Sequence, residues 1–165
     1  MGEYSAGDRT IDARGLRVAV VVARFNDHVT GLLLEGARSM LRDHGLAEAD
    51  APEYWVPGAF ELPVVAKRLA SSGGFDAVVC LGAVIRGDTP HFDYVAGEAA
   101  AGLSRVALDT GVPVIFGVLT TNTLEQALDR CGGSEGHKGA EAAATALETA
   151  ALLRTLPRST ESAKA

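Results

Sequence analysis

Val18-Ala19-Val20-Val21-Val22-Ala23 is an unbroken apolar run rich in β-branched residues, and Arg24-Phe25-Asn26-Asp27 follows it directly. Asn26 and Asp27 offer caps for a stretch whose apolar residues, Val29, Leu32, Leu33, Leu34, Ala37, Met40 and Leu41, recur at the spacing of one helix face. A strand that does not alternate with polar residues needs cover on both faces, so this pairing predicts a parallel sheet between layers of helices. The unit recurs. Gly45 stops the first helix, Glu53-Tyr54-Trp55-Val56 makes a second strand, and the turn Pro57-Gly58 leads into helical spacing at Leu62, Val65, Ala66 and Leu69. Pro63 fits only the first turn of that helix, where a missing N–H costs little. A third strand, Ala77-Val78-Val79-Cys80-Leu81, runs into an irregular segment from Gly82 to Asp93 and then a helix from Tyr94 to Asp109. Val114-Ile115-Phe116-Gly117-Val118-Leu119 is the fourth strand, Leu124 to Cys131 is helical, Gly132 to Gly139 interrupts, and an Ala-rich helix runs from about Ala140 to Arg154.

The prediction is an α/β fold: a three-layer α/β/α sandwich around a four-stranded parallel sheet with right-handed crossovers. Residues 1–15 read as an N-terminal arm, 16–154 as one domain and 155–165 as a frayed tail. The length of 165 residues suits one domain, and 47 % hydrophobic against 22 % charged residues exclude a disordered chain. A domain of this size buries roughly 70 % of its unfolded surface, so it needs neither disulfides nor a structural metal. Fifteen Lys and Arg against 21 Asp and Glu give a net charge of −6 with no basic run, which argues against nucleic acid or an anionic membrane as partner. Cys80 and Cys131 form no CxxC pattern, which points to a reducing compartment. Met1-Gly2-Glu3-Tyr4-Ser5-Ala6 carries no basic-then-apolar signal, and the apolar run Ala77 to Ile85 is far short of the ~18 residues of a membrane span. The expectation is a cytoplasmic protein.

In open parallel sheets the ligand crevice lies beyond the carboxyl ends of the strands. Those ends carry Phe25, Phe60, Phe92, Tyr94 and Phe116, five of the nine aromatic residues of the chain. A ring there can stack a flat heterocycle, although core packing is the simpler reading for Phe60 and Phe116 taken singly. Gly82-Ala83-Val84-Ile85-Arg86-Gly87-Asp88-Thr89 has the glycine spacing of a P-loop, but Asp88 stands where that motif needs Lys. GxGxxG and HExxH are missing, no GxSxG elbow stands between a strand and a helix, and His28, His44, His91 and His137 have no mutual ligand spacing, so dinucleotide, hydrolase and metal chemistry lack support. In Arg86-Gly87-Asp88-Thr89-Pro90-His91 the consecutive N–H groups before a helix can form an anion nest, and His91 can carry protons. A surface turn with a solvated histidine fits the same fragment.

Four motifs in order resemble the 6,7-dimethyl-8-ribityllumazine synthase family: Val22-Ala23-Arg24-Phe25-Asn26; Val56-Pro57-Gly58-Ala59-Phe60-Glu61-Leu62-Pro63; Gly82 to Val95 with Arg86-Gly87-Asp88-Thr89-Pro90-His91; and Gly117-Val118-Leu119-Thr120-Thr121-Asn122-Thr123 followed by Glu125-Gln126-Ala127. The resemblance runs from about Leu16 to Arg154. It implies a flavodoxin-like sheet and condensation of 5-amino-6-(D-ribitylamino)uracil with 3,4-dihydroxy-2-butanone 4-phosphate, releasing phosphate and water, with no metal or organic cofactor. By position it implies that Phe25 stacks on the pyrimidine, that Ala59, Phe60 and Glu61 hold the ribityl chain, and that Ala83, Val84, Ile85 and Phe116 present main-chain groups to the ring. It further implies that Asp88, Thr89 and Arg130 bind the phosphate, with Lys138 nearby, and that His91 transfers protons. Asp88 departs from the small or neutral residue often found there in the family.

The family resemblance also implies a homo-oligomer: a pentamer whose sites lie between subunits, with Phe25 and His91 from one chain and Arg130 from the next. The N-terminal arm would add a strand to a neighbour's sheet. The uninterrupted segment Gly132 to Gly139 resembles that of members that assemble a 60-subunit icosahedral shell, which could enclose a riboflavin synthase. Two rival readings are a catalytically idle shell or lumazine- or flavin-binding relative, against which Phe25, His91 and Arg130 speak, and a flavodoxin-like electron carrier, which lacks the hydroxyl-rich phosphate loop after its first strand.

Overall fold

The computed structural model of the protein describes residues 11–157. Strands β1 (Val18–Ala23), β2 (Glu53–Val56), β3 (Ala77–Ile85) and β4 (Val114–Thr121) form one parallel sheet in the order β2-β1-β3-β4. Helices α1 (Asp27–Asp43), α2 (Leu62–Ala70), α3 (His91–Thr110), α4 (Leu124–Asp129) and α5 (Lys138–Thr155) complete the α/β fold, with a small antiparallel hairpin of β5 (Cys131–Gly133) and β6 (Gly136–His137) between the last two.

The unalternating β1 run now has its explanation. Val18, Val20 and Val22 enter a core with Leu33 of α1 and Leu147 of α5, while Ala19, Val21 and Ala23 enter a second core with Leu62 of α2 and Leu103 of α3. All six β1 residues are buried, because the pleat sends alternate side chains into two different apolar layers. Cys80 lies fully inside the second layer, where burial pushes its thiol well above the ordinary range and leaves it unreactive.

Several boundaries move, each for a local reason. Strand β3 continues through Gly82 to Ile85, because Gly82 through Ile85 pair with Val118 through Thr121 of β4 and so are ladder, not loop. Strand β4 reaches Thr121 for the same reason. Helix α3 begins at His91 rather than Tyr94: Pro90, with φ −64°, already has helical geometry and accepts the Asp93 N–H at 3.0 Å. Helix α5 begins at Lys138, capped by His137, whose Nδ1 accepts the Ala140 N–H at 3.4 Å. The Gly132–Gly139 interruption is the β5–β6 hairpin, with Gly132 and Gly136 at φ of 108° and 77°.

Asn26 does not cap α1 through its side chain. Its backbone is left-handed, with φ 59°, a conformation Asn tolerates better than most residues, and its Nδ2 instead donates to the Ala83 carbonyl at 2.9 Å, lashing the end of β1 to β3.

At the other end of the sheet, Ala13 and Leu16 are buried, and the Ala13 N–H donates to the His44 carbonyl at 3.1 Å. Arg154 Nη2 donates to the Gly15 carbonyl at 2.9 Å and to Asp76 Oδ1 at 3.2 Å, which anchors the last turn of α5 on the body. Thr155 is still helical, and residues 158–165 of the expected tail lie outside the described residues. So do residues 1–10, on which the expected strand exchange largely falls.

Helices α1 and α5 meet at two glycines. A Cβ on Gly139 would stand 2.0 Å from the Leu33 carbonyl oxygen, and one on Gly36 would stand 2.0 Å from the His137 ring. Since the first obstacle is backbone, Gly139→Ala can be accommodated only by prising the helices apart. It is expected to destabilise the fold by about 3 kcal/mol, the upper end of ordinary overpacking, read as a lowered denaturation midpoint with an unchanged m-value. An unchanged midpoint would mean that the helices slide freely.

Candidate active site

Three strand ends build a cavity of about 570 Å³. The chain leaves β1 tied to the β2 end, with the Arg24 N–H on the Val56 carbonyl at 2.9 Å and the Phe25 N–H on the Pro57 carbonyl at 3.0 Å. That pinned backbone holds the Phe25 ring out over the cavity, 71 % exposed. After β2, Ala59-Phe60-Glu61 makes a single 3₁₀ turn into α2, with Ala59 buried beneath and Phe60 and Glu61 on the wall.

The third wall follows from unequal strand lengths. Strand β1 pairs with β3 only as far as Leu81, whereas β3 runs on to Ile85 against β4. Ala83, Val84 and Ile85 therefore overhang β1 and line the cavity with a stretch of strand edge, of which the Ala83 carbonyl accepts Asn26. A strand edge offers N–H and C=O groups in a fixed row, which suits recognition of a planar ring with donors and acceptors on its rim. Gly87, Thr89 and His91 close the remaining side, joined by Phe92, Tyr94 and Val95 of α3. Asp88 is exposed and does not line the cavity.

A second cavity, about 500 Å³, lies along the free edge of β4 and holds Phe116, Arg130 and Lys138. Arg130 follows α4, and its Nη1 donates to the Gln126 carbonyl at 3.0 Å while Nη2 lies 3.8 Å from Glu135. Helix α4 is itself set by Thr123, whose Oγ1 accepts the Gln126 N–H at 3.2 Å, while Gln126 Oε1 accepts the Asn122 N–H at 2.9 Å. Lys138 Nζ donates to both Glu141 oxygens, at 3.0 and 2.8 Å.

The chain thus brings together Phe25, Ala59, Phe60, Glu61, Ala83, Val84, Ile85, Thr89 and His91. It sets Phe116, Arg130 and Lys138 apart, since the two cavities share no lining residue among those described. The core-packing reading of Phe60 and Phe116 fails: they are 56 % and 42 % exposed, because each ends on a cavity wall rather than between layers. Sequence reasoning missed Glu141 as the partner of Lys138, although a Lys and a Glu three apart in the first turn of a helix signal such a pair. Tyr94, one of the strand-end rings, and Val95 both close the third family motif, but neither had been assigned a role in the site. Among the described residues, no group of three or more His, Cys, Asp and Glu is arranged to hold a metal ion. No helix among them is long and apolar enough to cross a membrane.

A parallel sheet in the order β2-β1-β3-β4, covered on both faces and opening at its strand ends, places the chain in the flavodoxin-like class of α/β proteins. Residues 15–154 match the family model of 6,7-dimethyl-8-ribityllumazine synthase, which covers most of the chain. The protein belongs to that family, the transferases that condense 5-amino-6-(D-ribitylamino)uracil with 3,4-dihydroxy-2-butanone 4-phosphate in riboflavin biosynthesis. Small-molecule substrates and an oligomeric state go with that membership.

Proposed function

We propose that the catalytic site of this lumazine synthase is assembled from the first cavity of one subunit and the second cavity of its neighbour. One observation carries the reading. Among the described residues, no Lys or Arg lines the cavity of rings and strand edge, whereas Arg130 and Lys138 both line the other. A doubly charged phosphate monoester needs cations, so a crevice complete in one chain would be missing its anion clamp.

In the assembled site Phe25 stacks on the pyrimidine, and the edge of Ala83, Val84 and Ile85, with Phe116 from the neighbour, reads the ring rim. Ala59, Phe60 and Glu61 hold the ribityl chain, Glu61 by accepting from hydroxyl groups. Thr89 and the Gly87–Thr89 backbone, with Arg130 and Lys138, take the phosphate; for Asp88 only its N–H is used, in keeping with a side chain outside the cavity.

The substrate amine is the nucleophile, so no Ser or Cys is needed. Its attack on the ketone gives an imine with loss of one water, elimination of phosphate leaves an enol that tautomerises to a second carbonyl, and attack of the ribitylamino nitrogen on that carbonyl closes the ring with loss of a second water. Holding both molecules in reacting geometry can supply several kcal/mol of the barrier, on the order of 7 or more in well-oriented systems. His91 moves protons during these steps, and Arg130 stabilises the leaving phosphate. His91→Ala is expected to slow turnover by about 10² while leaving assembly intact, measured by the fluorescence of the lumazine product. Failure of the unmodified protein to exceed the spontaneous rate with both substrates would instead favour an idle shell.

The ring is a pentamer in this reading, working in the cytoplasm, and the N-terminal arm extends a neighbour's sheet. The short β5–β6 hairpin supports closure of the pentamers into a 60-subunit shell, with room for a riboflavin synthase inside. Sedimentation at neutral pH tests this, and a profile of pentamers alone would remove the shell.

A further inference from the structure

Arg86 follows β3 directly and lines neither cavity. Its own N–H donates to the Thr121 carbonyl at 2.9 Å, extending the β3–β4 ladder by one step. The side chain then makes three contacts at once. Its guanidinium carbon lies 4.1 Å from the centre of the Phe92 ring, Nη2 donates to Asp93 Oδ1 at 3.2 Å, and Nε donates to Asn122 Oδ1 at 3.1 Å. Asn122 is held in turn by Gln126.

Residues 87–91 lie between Arg86 and the two residues it grips on α3. The side chain is therefore a brace across the base of the loop that carries Thr89 and His91, with a third foot on the end of β4. An exposed ion pair alone would contribute little, and Arg86 with Asp93 is such a pair. Stacking and two hydrogen bonds in different directions are another matter, because they require a planar cation with several donors and fix the orientation of the segments it joins.

We propose that Arg86 is a positioning residue of the reaction: without touching substrate, it sets His91 and Thr89 at the distance from the ring-binding wall that proton transfer and phosphate binding need. The proposal rests on the assignment of His91 and Thr89 to the site. A displacement of about 1 Å in such groups can cost on the order of 10²-fold in rate, so a brace of this kind acts on catalysis far more than on folding.

The test compares Arg86→Met, Arg86→Lys, His91→Ala and the double variant Arg86→Met/His91→Ala in the full assembled protein. Arg86→Met is expected to lower kcat about 30-fold and raise KM for the butanone phosphate about 10-fold, with KM for the aminouracil within about twofold and the melting temperature and particle size unchanged. Arg86→Lys keeps the charge but not the fork, and is expected to recover less than about a third of the lost kcat. The double variant should turn over within about twofold of His91→Ala, since a brace acting through His91 has nothing left to position. Wild-type kinetics in Arg86→Met, full recovery in Arg86→Lys, multiplied losses in the double variant, or a drop in melting temperature with both KM values raised alike would each overturn the proposal. Wild-type turnover in His91→Ala would overturn the site assignment itself, and the proposal with it.

Discussion

Arg130→Ala is expected to weaken use of the butanone phosphate by about 100-fold or more in KM while leaving affinity for the ribitylaminouracil unchanged. The asymmetry follows from position. Arg130 stands at the end of α4 with only Nη1 committed, to the Gln126 carbonyl, and with Glu135 at 3.8 Å, a looser arrangement than a bidentate pair. The rest of the fork is therefore available to phosphate oxygens, and losing one side of a charge-assisted contact of this kind costs about 2–5 kcal/mol. None of that loss reaches the aromatic cavity, where Arg130 has no part. Arg130→Lys should restore part of the binding, because a point charge replaces the fork without its geometry. Isothermal titration with each substrate separately makes the distinction. Unchanged affinity for the phosphate-bearing substrate in Arg130→Ala would show that the anion is held elsewhere.

The second large effect is a recovery. Phe25→Asp and Arg130→Ala each damage one cavity and leave the other intact, and Phe25 is exposed enough for its replacement to spare the core. Each variant alone should be essentially inactive at ordinary substrate concentrations. Unfolded together in equal amounts and reassembled, they should regain about a quarter of wild-type turnover, because each site then draws an intact first cavity and an intact second cavity with a chance of about one half each. Mixing the finished particles without reassembly should regain nothing. Activity no higher than the sum of the separate variants after reassembly would mean that both halves of a site come from one chain.

How much of this could be read before the structure depends on which physical signal each feature leaves. The layers were legible in β1, since six consecutive buried residues admit no polar face. The extent of β3 was not: Gly82 looks like a breaker when read locally, and only its pairing with Val118 shows otherwise. Asn26 was recognisable as special but assigned the wrong task, because capping is the common use of Asn before a helix and the carbonyl it reaches belongs to a strand far along the chain. The ring cluster was visible as a group, yet Phe60 and Phe116 read singly as core, since exposure is a property of what fails to cover them. Arg86 stood at the head of a recognised motif, but its task left no signal, because its meaning lies in Phe92, Asp93 and Asn122 converging on it, and spacing along the chain does not reveal convergence.

That two cavities of one chain share no residue has a consequence for inheritance. On the proposed arrangement every chain serves two sites, one on each side of it in the ring. A copy harmed in both cavities therefore removes two sites where a self-contained enzyme would lose one, and activity in a mixed population falls roughly with the square of the intact fraction. Defective copies are dominant in proportion to their share, whereas copies harmed in different cavities rescue one another. Natural selection acting on such a ring judges alleles in adjacent pairs.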